Sequence, residues 1–159
     1  MTPNTLILAI GNESRGDDAL APSLVRQMQV QINTKAEIIE DYQLQVEHVT
    51  DLVGRSTVLF VDADISCEAP FDFSQITAQY DNSYTSHAMS PMALLHAYRQ
   101  VYASDAPESY LLRIRGYSFE LGDGLSDEAA ANLEQTARML TAWLADTRCN
   151  ELSHEYLLK

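Results

Sequence analysis

Along the chain, short continuous apolar runs alternate with stretches whose apolar positions recur at helical spacing. Leu6-Ile7-Leu8-Ala9-Ile10 is apolar throughout and stops at Gly11, the pattern of a strand buried on both faces. Leu20, Leu24, Val25 and Met28 follow at helical spacing. Ile38-Ile39 marks a second, weaker strand, and Val46, Val49 and Leu52 a short helix. Val58-Leu59-Phe60-Val61 is another buried-strand run, stopping at Asp62. Phe71 to Tyr80 reads as an edge strand, because Phe73, Ile76 and Ala78 do not alternate cleanly. Ser90-Pro91 predicts a helix start, with Ser as N-cap and Pro at the first helical position. Met92, Leu95, Tyr98 and Val101 or Tyr102 then share one face. Tyr110 to Ile114 is a further strand ended by Gly116. Ser126 caps a last helix, with Asp127 and Glu128 in its first turn and Ala129, Leu133, Ala137, Leu140 and Leu144 as its buried stripe.

Strands alternating with helices predict an α/β three-layer sandwich, a largely parallel twisted sheet of about five strands flanked by helices. The 159 residues fit one core, with no repeat or linker to divide it. The expected organisation is a single α/β domain over residues 1–147 and a C-terminal tail over 148–159.

Charge narrows the function. Against 23 acidic residues stand 10 basic ones, a net charge of −13. The Arg residues are scattered and the only Lys are Lys35 and Lys159, so no basic surface for nucleic acid is expected. No run approaches the roughly 18 apolar residues of a membrane span. Met1 to Thr5 has no basic segment, and Gly11-Asn12 is not a small-residue cleavage site, so no signal peptide is read. Cys67 and Cys149 stand apart without a CxxC spacing, as thiols of a reducing compartment would. The expectation is a soluble cytoplasmic protein.

In parallel sheets, ligands bind beyond the carboxyl ends of the strands. Gly11-Asn12-Glu13-Ser14-Arg15-Gly16-Asp17-Asp18 has the glycine spacing of a phosphate loop, but Asp17 and Asp18 stand where Lys and Ser or Thr would hold phosphate. Acids there suit a cation or water activation, or simply complement a helix dipole. Asp62 ends a buried run, where an unpaired carboxylate is costly, and reads as a site residue. Asp64 reads as a cap of the following loop. Ser86-His87 lies in a polar loop before the Ser90-Pro91 helix start, whereas His48 and His96 read as structural or exposed and His154 has no identifiable partner. Two carboxylates and one imidazole suit Ni²⁺, Zn²⁺ or Fe²⁺ without selecting one.

Gly11-Asn12 after the first strand, Arg15-Gly16-Asp17-Asp18, Val61-Asp62-Ala63 and the Ser86-His87 loop leading into Ser90-Pro91 together resemble the [NiFe] hydrogenase maturation endopeptidases. Ile114 to Gly122 is similar to one branch of that family, and the resemblance spans roughly residues 5 to 145. It implies an endopeptidase that removes a C-terminal extension from a [NiFe] hydrogenase large-subunit precursor after nickel insertion. It further implies nickel contacts through Asp18, Asp62 and His87, with Asp17 as the neighbouring alternative to Asp18. The nickel would be that of the precursor. Asp18 and Asp62 would also act catalytically, on the attacking water or the scissile carbonyl. Such enzymes are sometimes classed as aspartic-type, although the chain lacks paired Asp-Thr-Gly motifs. Ser118 and Cys67 have no identifiable base. The implied partner is the precursor, engaged transiently by a monomer.

Two other readings use the same acids. A receiver-like or haloacid-dehalogenase-like phosphotransfer domain would phosphorylate Asp62 with Mg²⁺, but wants a Lys beside the phosphoryl group. A non-catalytic nickel-binding maturation factor would be expected to cluster His or Cys, which here are dispersed.

Overall fold

Continuous apolar runs become the centre of the sheet. In the computed structural model, which describes residues 4–80 and 89–145, the strands are β1 (Thr5–Ile10), β2 (Ala36–Asp41), β3 (Thr57–Asp64), β4 (Phe71–Ile76) and β5 (Glu108–Arg115). Their order is β2-β1-β3-β5-β4. The first four in that order run parallel, and β4 is antiparallel at the edge beside β5. Every residue of β1 is buried, whereas β2 and β4, at the two edges, are mostly half-buried. This explains why the sequence pattern is clean for β1 and weak for the edges. One boundary differs from expectation. β3 continues past Asp62, because Ala63 and Asp64 still pair with Ile114 and Arg115.

Helices cover both faces. Ile7, Ala9, Leu59, Val61, Tyr110 and Leu112 pack under α1 (Leu20–Gln27), α2 (Gln29–Asn33) and α4 (Asp127–Ala145). Leu6, Leu8, Val58, Phe60 and Leu111 face a 3₁₀ helix over Val46–Leu52 and α3 (Pro91–Tyr102). Alternate strand residues thus serve two separate cores. The predicted caps are present: Ser90 Oγ accepts the Ala93 N–H at 3.1 Å, and Ser126 Oγ that of Ala129 at 3.2 Å. In α4, Ala129, Leu133, Leu140 and Leu144 are buried as their spacing predicts, and Ala137 is half-buried. Trp143, outside that stripe, is also buried, edge-on to Tyr110 and Phe73. Among the described residues no helix is long and apolar enough to cross a membrane.

Candidate active site at the strand ends

Beyond β1 the chain folds back over the sheet. Gly11 donates its N–H to the Asp41 carbonyl at 3.0 Å. A Cβ at Gly11 would lie 2.1 Å from the Asp18 carbonyl oxygen, so only glycine lets the chain return this closely. Asn12 holds the loop twice: its Oδ1 accepts the Ser14 N–H, and its own N–H donates to Asp18 Oδ2, both at 2.9 Å. The loop ends in a 3₁₀ turn, Gly16–Ala19, that carries both acids into the start of α1.

Within that turn the acids part ways. Asp17 is completely buried. Its carboxylate accepts the N–H groups of Tyr117 (2.7 Å), Ser118 (3.2 Å) and Ser126 (2.7 Å), and the Ser126 hydroxyl at 2.8 Å. Burial pushes its pKa up, but hydrogen bonds from Ser126, Tyr117 and Ser118 outweigh it and hold Asp17 below the usual carboxylate value. The backbone adds Asp17 N–H to the Ser118 carbonyl at 2.8 Å and Gly16 N–H to that of Asp123 at 3.1 Å. Gly16 has φ 56°, and a Cβ there would stand 2.5 Å from the Ser118 carbonyl. Asp17 therefore ties the loop after β1 to the loop after β5, and is not available as an alternative to Asp18.

Asp18 is partly buried and accepts one backbone N–H, from Asn12. Burial pushes its pKa up, with the Asn12 N–H and nearby Arg15 pulling the other way. Asp62 sits level with Ile10 on the neighbouring strand. Burial, then the charge of Asp18, push its pKa to about 7, with a hydrogen bond from the Ala63 N–H pulling the other way and the charge of Asp64 adding the smallest push. The two acids that the strand-end rule selects are therefore electrostatic neighbours. Burial raises both pKa values, and the negative charge of Asp18 adds to the rise at Asp62, so the two carboxylates titrate as neighbours.

The surrounding charges are already matched. Asp64 Oδ1 accepts the Ser66 N–H and hydroxyl, both at 2.7 Å, as a cap of the following loop. Its Oδ2 meets Arg113 at 3.1 Å, and Arg113 also reaches Asp72 at 2.9 Å. Arg115 donates to the Gly116 and Cys67 carbonyls and lies 4.8 Å from the Tyr117 ring centre. Cys67 is buried, which pushes its thiol pKa up and leaves it unsuited to attack.

The described histidines have partners away from the two acids. His48 is buried, accepts the Gln45 N–H at Nδ1 (2.9 Å) and places Nε2 3.2 Å from Asp41. His96 packs edge-on against Tyr80. His87 and His154 lie outside the described residues. Among the described residues no three His, Cys, Asp or Glu side chains cluster as a metal site. Asp18 and Asp62 offer oxygen ligands only, so a divalent cation held there needs a further donor. Sequence reasoning missed the buried tie at Asp17, whose partners lie 100 to 109 residues away. Gly116 belongs to it too: a Cβ there would approach Asp17 Cβ to 3.0 Å.

No family model matches the chain, and no curated protein does. Solved structures do match it. It is similar to the hydrogenase maturating endopeptidase HybD from E. coli, with TM-score 0.69, 21% identity, and coverage of 93% of this chain and 94% of that one. The [NiFe] hydrogenase maturation protease HycI from Thermococcus kodakarensis KOD1 gives 0.67 at 19% identity, over 90% and 93% of the two chains. The endopeptidase HycI from Escherichia coli gives 0.64 at 19% identity, over 90% and 91%. The chain thus has the fold of the hydrogenase maturation proteases over nearly its whole length.

Proposed function

We propose that the chain is an endopeptidase that removes the C-terminal extension of a [NiFe] hydrogenase large-subunit precursor after nickel insertion. The observation that carries this reading is the Asp18–Asp62 pair toward the carboxyl ends of β1 and β3, on a fold shared over nearly the whole chain with such proteases. With a pKa of about 7, Asp62 exists in both protonation states near neutrality, as a group that takes and returns a proton in peptide hydrolysis requires. Asp18, held by the Asn12 N–H, is the second carboxylate. A precursor whose nickel has been loaded supplies positive charge that relieves the repulsion between them, so loading itself becomes the recognition signal. His87 is the third proposed contact to the precursor's nickel. The enzyme acts in the cytoplasm as a monomer that engages its precursor transiently.

The phosphotransfer alternative is disfavoured. Lys35 precedes β2 at the amino ends of the strands, a strand length of roughly 20 Å from the acids. Arg113 and Arg115 are engaged as described above.

The test is incubation with the precursor, with and without nickel. Processing of the nickel-loaded form alone is expected; equal processing of both removes nickel recognition, and no processing of any precursor removes the protease assignment. Asp62→Asn and His87→Ala are expected to stay folded and lose processing, and a wild-type rate in either takes that residue out of the site.

A further inference from the structure

The outer edge of β4 presents backbone groups with no partner among the described residues. Arg115 donates its N–H to the Pro70 carbonyl at 3.1 Å. Continued through the antiparallel register Phe71↔Ile114 to Ile76↔Ser109, this pairing turns the N–H and C=O of Asp72, Ser74 and Ile76 toward β5. Those of Phe71, Phe73 and Gln75 point away from the sheet. Exposed edges are normally blunted by Lys, an internal Pro or a bulge. The sequence Phe-Asp-Phe-Ser-Gln-Ile carries neither Lys nor Pro, its one charged side chain, Asp72, is paired with Arg113, and its register with β5 is unbroken.

The edge also begins beside the site. Ile10, Asp62, Arg113 and Asp72 form one row across β1, β3, β5 and β4. Two strand spacings separate Asp62 from Asp72 and a third separates β4 from a strand added outside it, roughly 14 Å in all, a gap that four to five extended residues span. The side chains flanking the edge alternate: Phe71 and Phe73 lie on the face with α4, and Asp72 and Ser74 on the other. An extended peptide of alternating character matches such an edge.

We propose that β4 takes up the C-terminal segment of the precursor as a sixth, hydrogen-bonded strand, delivering the adjoining peptide bond to Asp18 and Asp62. This rests on the protease reading and adds the place where the extended segment binds. Specificity then comes partly from backbone pairing, which is independent of the segment's exact sequence, and partly from the Phe71–Phe73 side.

The test uses the full chain and a synthetic peptide spanning the cleavage region and extension of a hydrogenase large-subunit precursor from the same organism. Amide hydrogen exchange at Phe71, Phe73 and Gln75 is fast in the free protein and slows on adding the peptide. Protection already present without peptide shows the edge covered by this chain's own residues, and protection that grows with protein concentration shows a second copy; either overturns the proposal. Unchanged exchange with saturating peptide overturns it too. Gln75→Pro deletes one outward N–H without removing a bond to β5, and raises KM for the precursor about tenfold more than Gln75→Ala does. Equal KM values for the two variants, with the precursor still processed, sink the edge and leave the protease reading standing. Absence of any processing strikes the protease reading, while the exchange measurement still decides the edge.

Discussion

Asp17 and Asp18 are adjacent in one 3₁₀ turn, yet they meet opposite surroundings. Asp17 is wholly enclosed by donors from the β5–α4 loop, which makes its charge an asset to the fold. Asp18 receives one donor, faces a second acid and has its pKa raised by burial. Burial alone therefore does not tell the two carboxylates apart. What distinguishes the two is whether the surrounding donors satisfy the charge or leave it to be satisfied by something that arrives.

The largest expected effect tests the satisfied half of this contrast. Asp17→Ala abandons three buried N–H groups and a hydroxyl, and should lose about 3–5 kcal/mol of stability in urea denaturation. Because the folded-state pKa of Asp17 is lowered, its contribution is present above the ordinary value of 3.8 and lost as pH falls through the folded pKa. The variant should accordingly lose less stability on acidification than wild type. Asp18→Ala should lose less than about 1 kcal/mol; comparable losses at the two positions would erase the contrast.

Asp62 carries the opposite sign. Its pKa rises from 3.8 to about 7, so its contribution is complete below the unfolded value and is lost as pH rises through 7. Asp62→Asn, which stays neutral, should be more stable than wild type at pH 8 by about 2–4 kcal/mol, with the advantage shrinking toward pH 4. Denaturation at the two pH values measures this. A variant less stable than wild type at pH 8 would mean that the Asp62 charge is already matched.

The link between the acids is smaller and sharper. Asp18→Asn should lower the pKa of Asp62 by about one unit or less, since burial outranks the Asp18 charge among its causes. Carbon-detected NMR titration of the Asp62 carboxyl reads this directly, and an unmoved pKa would separate the pair. Ser126→Ala, which removes one of the donors to Asp17 and the cap of α4, should cost about 1 kcal/mol in urea denaturation.

The same contrast shows how far the site is legible in the chain. Asp62 stands out because it ends an apolar run, and Asp18 because it follows the glycine loop after β1. Strand ends in parallel sheets are where such groups converge, and both are found there. Asp17 looks identical to Asp18 in sequence, and nothing local separates them. The deciding donors Tyr117, Ser118 and Ser126 reach it from across the fold. Trp143 escaped the α4 stripe for a similar reason: Phe73 and Tyr110, which pack against it, come from edge and inner strands whose placement no helical period reveals.

By itself the sequence determined what depends on neighbours along the chain: strands from continuous apolar runs, the helix starts at Ser90 and Ser126, and acids placed at strand ends. These follow from periodicity, capping and the cost of burying charge, all of which act over a few residues. Only the tertiary structure decided which acid is spent on holding the fold, how closely Asp18 and Asp62 interact, and which strands form the edges of the sheet. Those outcomes depend on donors, charges and strand pairings that approach from distant parts of the chain.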